Sequence, residues 1–222
     1  MRSAWFAVAL AVSGVPAVAE AFTVQVPEGW VDLSRGAPAA NFEGLRPTIA
    51  AQVQSRQYVA LAYDFAHEDD GFTENLNATI QSGAERVTGR SIAALTRELP
   101  AIAARNTPSV ALRVLESSVV LVGGVHRARL LTEVTVNGSS VRQAVFLIPG
   151  AGQTLVLTYS SSPQEFARYL PTFDTSAAAT VGAVEPPEPE GPWKGILQKT
   201  LIGGVIGALG GLLQTLFRRA KS

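Results

Sequence analysis

The 222-residue sequence contains no cysteine, only two histidines, and few aromatic residues, at 7% of the chain. The missing cysteine excludes disulfide bonds, thiol catalysis, cysteine-ligated zinc sites and a lipidated N-terminal cysteine. A net charge is missing as well, because 18 lysines and arginines balance 18 aspartates and glutamates. Proteins that bind nucleic acid by neutralising phosphates are normally basic, so this balance disfavours a nucleic-acid partner.

The N-terminal segment has the three parts of a secretory signal peptide. Arg2 supplies a positive charge, Ala4–Val15 is apolar, and Ala17-Val18-Ala19 fits the A-x-A cleavage pattern. We therefore expect residues 1–19 to be a signal peptide that directs export of the rest of the chain. The alternative is an uncleaved N-terminal anchor, for which the apolar run is short.

The C-terminal segment has the composition of a membrane span. Leu201–Phe217 is uncharged, and at 1.5 Å per residue it gives about 26 Å of helix, close to the hydrocarbon thickness of a bilayer. We expect a transmembrane helix over 196–217, followed by a basic tail at 218–222. The positive-inside rule places this tail in the cytoplasm and the exported domain in the periplasm of a bacterium, on the inner membrane. A helix that lies flat in the interface, or packs in a core, is the alternative.

Three glycines share one face of this expected helix. Gly203, Gly207 and Gly211 form two overlapping G-x-x-x-G steps, which allow helices to approach closely in lipid. This face is predicted to bind a partner helix or a second copy of the chain. Membrane helices also tolerate glycine without any partner, and the sequence does not decide between the two interpretations.

The segment between the domain and the span is rich in proline and glutamate. The four prolines of Glu185–Pro192 disfavour helix and central strand, so residues 185–195 are predicted to form an extended linker. The triplet Pro187-Glu188-Pro189 is also similar to bacterial C-terminal sorting tails of the Pro-Glu-Pro type. Proteolytic processing of the tail is therefore an alternative fate of the protein.

Residues 22–184 form the expected exported domain, and the second half has the clearest pattern. Strands are predicted at Glu116–Val122, Val125–Val136, Val141–Ile148 and Thr154–Tyr159, which are rich in valine, leucine and threonine. Asn137-Gly138 supplies the positive φ angles of a tight hairpin. These four strands are therefore expected to form an antiparallel meander. The alternation along Val125–Val136 indicates one face on a core and one wetter face.

Helical patterns are fewer. Helices are predicted at Pro47–Arg56, at Gly89–Leu99 and from Ser162 onward, and two more strands at Tyr58–Phe65 and Phe72–Ile80. Pro100 should stop or kink the second helix. Because strands and helices occur in separate runs, the predicted class is α+β, an antiparallel sheet flanked by helices.

The order of these landmarks resembles the PsbP-like/Mog fold superfamily. The resemblance rests on Phe22–Trp30 (FTVQVPEGW), on Phe72–Asn77 (FTENLN) and on a helix that ends at Glu98-Leu99-Pro100. Within that superfamily the chain looks like the DcrB-type bacterial exported proteins. The resemblance implies an α/β/α sandwich, and members act as extrinsic subunits of membrane complexes, small-GTPase binders or envelope proteins. It implies no catalytic residues and no cofactor.

Ionisable clusters give little evidence of catalysis or metal binding. His67-Glu68-Asp69-Asp70 is the densest cluster, but consecutive residues on a turn diverge, so a solvated acidic turn is preferred to a cation site. His126 follows a glycine pair and is expected to face solvent. No serine lies in a G-x-S-x-G elbow. We therefore expect no catalytic residue, no metal ligand and no cofactor.

Three arginines are the candidate binding residues of the domain. Arg127 and Arg129 point away from the core positions of their predicted strand, and Arg142 can join them across the hairpin. Such a face is ordinarily solvated, and it is also suited to an acidic partner. With the predicted topology, it indicates a non-enzymatic, membrane-anchored periplasmic module that binds or stabilises a membrane or envelope complex. The alternative is a small-ligand or metal-binding carrier, or an enzyme, whose site is dispersed in sequence.

Overall fold

The computed structural model describes residues 22–34, 36–55, 58–67 and 72–188. The predicted signal peptide, transmembrane helix and basic tail lie outside these residues, and so does the glycine face of the expected span. Within the described ranges, no helix combines the length and the apolar composition that crossing a membrane requires.

The described residues form an antiparallel sheet of seven strands with helices packed on it. The strands are β1 Val31–Asp32, β2 Ala60–Tyr63, β3 Asn75–Ser82, β4 Val110–Val122, β5 Val125–Val136, β6 Ser139–Pro149 and β7 Gln153–Ser161. The helices are a 3-10 turn at Ala39–Phe42, α1 Pro47–Ser55, α2 Gly89–Asn106 and α3 Phe166–Ala179. The strand order is β1-β2-β3-β7-β6-β5-β4, and every neighbouring pair is antiparallel. The predicted α+β class and the predicted meander are confirmed.

Tight turns join the strands of the meander. Asn137 and Gly138 have φ angles of 49° and 84°, as the predicted hairpin between β5 and β6 requires. Gly123 and Gly124, with φ angles of 59° and 81°, make the same kind of turn between β4 and β5. These turns set the pairing of β5 with both of its neighbours. The β5–β6 register is continuous, whereas the β4–β5 register shifts at a bulge between Val114 and Glu116.

The helix α2 covers one face of the sheet. Its buried residues Ile92, Leu95 and Leu99 pack against a cluster that includes Leu130 and Val134 of β5. The helix begins with a capping box, in which Thr88 and Ser91 exchange hydrogen bonds of 3.1 and 2.9 Å between side chain and backbone N–H.

The predicted end of this helix at Leu99 is wrong. Pro100, which was expected to stop or kink the helix, does not stop it, because α2 continues to Asn106. A proline inside a helix removes one backbone hydrogen bond and costs about 3 kcal/mol. Beyond it, Ile102 and Ala103 extend the buried stripe of the helix. Burying a side chain of the size of Ile102 contributes about 1.5–3 kcal/mol, so this burial offsets most of the cost of the proline.

The opposite face of the sheet is also covered, contrary to the prediction of one wetter face. The helix α3 lies on it through Phe166, Tyr169 and Phe173, which pack against residues such as Phe146 and Tyr159. Phe173 is fully buried and stacks on the Tyr159 ring at a centroid distance of 4.9 Å. The strands β6 and β7 are buried on both faces, which the alternation along β5 alone does not show.

After α3, the chain forms a strap, residues 180–188, that crosses one end of the sheet. Val181 bridges to Thr23 near the first described residue, and the Val184 N–H donates to the Pro149 carbonyl at 2.9 Å. At the turn after β6 a side chain on Gly150 would meet the Phe22 ring and the Gly182 carbonyl. We call this end of the sheet, with the β4–β5 hairpin and the β6–β7 turn, the hairpin end.

Candidate functional site: an arginine-lined groove

A groove of about 290 Å³ lies between the edge of the sheet and α3, close to the hairpin end. Its walls come from β4, β5, β6 and α3. It is lined by Ser118, Val120, Val122, Arg127, Arg129, Phe146, Asp174, Ala177 and Ala178. Most of these side chains are apolar, so the groove has an apolar wall with charged groups at defined positions.

The strand register brings the lining residues together. Arg129 lies opposite Ser118 of β4 and opposite Phe146 of β6, and directly opposed residues of a sheet point to the same face. Arg127, two residues earlier on β5, shares that face. The alternation of β5 therefore turns both arginines toward α3. This is the face away from the core positions of β5, where the sequence placed them.

Arg127 caps the C-terminal end of α3. Its side chain is buried, with 5% of its surface exposed, and its two terminal nitrogens donate to the carbonyls of Ala177 at 2.7 Å and Thr180 at 3.2 Å. The last carbonyls of a helix lack partners within the helix and carry partial negative charge. The guanidinium therefore supplies hydrogen-bond donors to the carbonyls at the end of α3. The partial negative charge of these carbonyls in turn partly balances the charge of the guanidinium.

No carboxylate among the described residues forms an ion pair with Arg127. Burial lowers the pKa of its guanidinium, yet an arginine side chain keeps its charge in proteins. The Nε atom is buried without a hydrogen-bond partner. A buried cation is thus present at the inner end of the groove, and helix carbonyls are its principal counter-charge.

Arg129 and two carboxylates form the charged rim of the groove. Arg129 binds Asp174 of α3 through two hydrogen bonds of 2.8 and 3.1 Å, and it also donates to Glu116 at 2.8 Å. The hydrogen bonds from Arg129 to Asp174 raise the pKa of the guanidinium more than its burial lowers it. Bidentate pairs of this kind fix the orientation of both side chains.

Arg142 shares the sheet face of Arg127 and Arg129 but does not line the groove. It lies opposite Glu133 of β5, and its Nε is 3.2 Å from a Glu133 carboxylate oxygen. Arg113 binds the other oxygen of Glu133 at 2.9 Å. The structure therefore brings Arg127 and Arg129 together at one site, whereas Arg142 belongs to a separate ion-pair group. A partner-binding role for the three residues stays a prediction.

His126 is part of an ion-pair group that sequence reasoning missed. Its backbone N–H and its ring Nδ1 contact the two carboxylate oxygens of Glu185 at 2.7 and 2.9 Å. Arg86 contacts the carboxylates of Glu185 and Glu188 at 2.8 Å each. Burial raises the pKa of Glu185, but the hydrogen bonds from His126 and the charge of Arg86 lower it by more. The pKa of Glu185 is therefore below its usual value. The first residues of the predicted linker are therefore held on the domain.

His67 belongs to a third polar group, at the other end of the sheet. Its Nδ1 is 2.9 Å from the Asp64 carboxylate, to which the Tyr169 hydroxyl also donates at 2.7 Å. Burial and the Asp64 hydrogen bond raise the pKa of Tyr169, so its hydroxyl stays protonated. The adjacent residues Glu68–Asp70 lie outside the described part of the chain. No group of three metal-ligating side chains occurs among the residues that the structure describes.

Replacing Arg127 with methionine is expected to destabilise the domain. The change keeps most of the side-chain volume but removes the charged donor of both carbonyls, so that Ala177 keeps only the Thr180 N–H, at 3.3 Å. Each lost bond to a charged group contributes about 1.5–3 kcal/mol. Urea unfolding of the full chain in mild detergent measures the effect. Arg142→Met is the matched control, because Arg142 is partly exposed and Glu133 keeps its ion pair with Arg113 when Arg142 is replaced. Equal unfolding midpoints for both variants would contradict the capping role.

Asp64 is expected to make stability depend on pH. The carboxyl is 4% exposed, and burial raises its pKa, but hydrogen bonds from Tyr169, His67 and the Ala66 N–H lower it below the usual value. A lowered pKa in the folded state stabilises the fold above the unfolded value, about 3.9, and this contribution is lost as the pH falls through the folded pKa.

The measurement compares the wild-type chain with Asp64→Asn by urea unfolding at a series of pH values. The wild-type protein should be more stable near neutral pH, and the difference should shrink below about pH 4. Glu28→Gln, at an exposed position, is the control. A difference between wild type and Asp64→Asn that stays constant with pH argues against this role of Asp64.

Comparison with known proteins places the fold. No protein-family model matches the sequence, and no curated protein matches it significantly. The structure is similar to that of PsbP (CyanoP) from Synechocystis sp. PCC 6803, with a TM-score of 0.50 and 13% identity over 72% of this chain and 86% of that one. This likeness shows that the described domain has a PsbP-like fold, as its sequence resemblance implied.

Two other solved structures are more distantly similar. LpqN of Mycobacterium tuberculosis, which is involved in cell envelope biogenesis, has a TM-score of 0.44 and 16% identity over 73% of this chain and 83% of that one. PA94 of Pseudomonas aeruginosa, a protein of unknown function, has a TM-score of 0.39 and 13% identity over 53% of this chain and 75% of that one.

Proposed function

We propose that the chain is a non-enzymatic, membrane-anchored periplasmic module that binds or stabilises a membrane or envelope protein complex. The groove between β4, β5 and α3 is the observation that carries this proposal. It combines an apolar wall with a rim of fixed ion pairs, including Arg129 with Asp174 and Glu116. Protein interfaces have this arrangement, with an apolar centre and a polar edge.

The size of the groove favours a protein segment over a small molecule. Pockets for small ligands commonly measure about 300–1,000 Å³ and enclose most of the ligand, whereas this groove measures about 290 Å³ and opens on the surface. It accommodates one or two apolar side chains that project from a partner. Such anchor side chains in desolvated pockets supply most of the binding energy of many interfaces. A carrier of a small apolar ligand is the second candidate, because the lining is largely apolar.

Anchoring is proposed from the sequence. The leader at 1–19 directs export, and the uncharged stretch Leu201–Phe217 with basic residues after it inserts as a single span. The resemblance of Phe22–Trp30 and Phe72–Asn77 to DcrB-type exported proteins supports a periplasmic domain. The PsbP-like fold is compatible with this role and does not by itself indicate a function.

Filling the groove is expected to weaken partner binding. Ala178 lines the groove and is exposed, while the neighbouring Ala179 is exposed outside it. A photo-crosslinking amino acid at 178 should give a discrete adduct with another envelope protein in intact cells, and one at 179 should not. Ala178→Trp should then weaken binding of that protein about tenfold or more, and Ala179→Trp should not.

Crosslinking that is identical from 178 and 179 would contradict a specific groove. The protein-partner proposal would also be contradicted if no protein adduct formed and an apolar small molecule co-purified with the wild type but not with Ala178→Trp. That result would favour the carrier.

Association through the span is tested separately. Changing Gly203, Gly207 and Gly211 to leucine should prevent close packing of helices and shift the full chain in mild detergent to a smaller particle. Ala208→Leu adds an isobutyl side chain beside this face and should leave the particle size unchanged. Particles of the same size for wild type and the triple variant, measured by light scattering during size-exclusion chromatography, would contradict association through these glycines.

A further inference from the structure

Exposed apolar side chains are unevenly distributed over the described part of the domain. Six large apolar residues are exposed there, between 37% and 64% of their surface, and five of them lie at the hairpin end of the sheet. They are Val59, Ile80, Leu121, Val181 and Val184. The sixth, Leu115, lies in the middle of β4. Single exposed apolar residues are ordinary on protein surfaces, but several at one place indicate a contact.

The topology explains why residues so far apart in sequence lie at the same end. In this antiparallel sheet the last residues of β3 and β4 lie at the same end of the sheet as the first residues of β2 and β5. Leu121 therefore lies beside the β4–β5 hairpin, with 64% of its surface exposed. Val59 precedes β2, and Ile80 lies near the end of β3. The strap carries Val181 across the same end, beside Thr23.

These residues extend over a broad area. Five strand spacings separate β2 from β4 in the sheet order, which is about 24 Å at 4.7–4.9 Å per spacing. A single side chain of a partner would cover a small part of such an area. A flat and extended apolar surface, such as a membrane interface, can contact all five residues.

The course of the chain indicates which surface this is. The described residues end with the strap at Glu188, which Arg86 holds at this end of the sheet. Twelve residues, 189–200, separate it from the apolar stretch Leu201–Phe217, and even fully extended they reach about 40 Å. A span that begins there keeps the hairpin end near the bilayer.

The charges at the hairpin end are also compatible with a lipid surface. Glu185 and Glu188 would be repelled by anionic headgroups, but Arg86 and His126 pair with them. Arg90, at the start of α2, is exposed beside Arg86. Paired acids, with an exposed arginine beside them, allow close approach to an anionic membrane.

We propose that the hairpin end of the domain rests in the headgroup region of the membrane into which the C-terminal span inserts. This inference depends on the anchoring under the proposed function. The strands then point with this end toward the membrane, and Leu121, Val181 and Val184 face the lipid. The groove, which reaches Val122 near the hairpin, then opens close to the bilayer, where a membrane protein partner can reach it.

The absence of cysteine allows a direct test with the full chain. Leu121→Cys, Val181→Cys and the control Leu115→Cys each receive one environment-sensitive fluorophore. Leu115 is 40% exposed on the same strand as Leu121, so its label reports the domain surface away from the hairpin end. The labelled proteins are reconstituted into vesicles of phosphatidylethanolamine and phosphatidylglycerol that contain a lipid with a nitroxide-bearing headgroup.

Labels at 121 and 181 should be quenched about threefold more than the label at 115, because apolar side chains at an interface enter lipid by about 5–10 Å. Equal quenching at all three positions, in protein that floats with the vesicles and resists alkaline extraction, overturns the lipid contact and leaves anchoring intact. A blue-shifted label at 121 without quenching also overturns it, since a second copy of the chain then covers this end. Protein that fails to float with the vesicles overturns anchoring, and the lipid contact with it. Unchanged urea unfolding midpoints show that the variants are folded.

Discussion

The packing of α3 on the sheet determines where the groove, the strap and the exit of the chain lie. Phe173 is fully buried and contacts Tyr159, Tyr169 and Trp30 through ring packing. Removing a buried aromatic side chain of this kind typically costs about 3–5 kcal/mol, so this cluster holds the helix firmly. Arg127 then meets the carbonyls at its C-terminal end, which sets where the helix stops and the strap begins.

The strap connects the two faces of the sheet. It starts beside α3, passes the end of β6 through Val184, and reaches the N-terminal side of α2 through Glu185 and Glu188. Its ion pairs join residues that are 59 and more positions apart in sequence. A segment whose composition is typical of a free spacer therefore begins as part of the domain, and the direction in which the chain leaves is determined by the fold.

Much of the architecture was predictable from local patterns, and the exceptions have physical reasons. The strand Val125–Val136 and the Asn137-Gly138 turn follow from local properties of the backbone, and both were confirmed, whereas the expected wetter face of that strand is covered by α3. The extent of α2 beyond Pro100 was not predictable, because burial of Ile102 and Ala103, which depends on the tertiary packing, offsets most of the local penalty of proline. That α3 covers the second face was not predictable either. The apolar runs of β6 and β7 indicate burial but do not show which helix packs on them.

The candidate site also has some features that local sequence patterns predict and others that depend on tertiary packing. The sequence alone determined that Arg127, Arg129 and Arg142 point to one face, because alternation along strands and one tight hairpin are enough to place them. It also determined the α+β class and the uncharged C-terminal stretch, which are matters of composition and order. Only the tertiary structure decided that two of these arginines meet α3 while the third binds Glu133. The reason is that ion pairs and helix docking join distant segments, and their geometry depends on the packing of the whole domain.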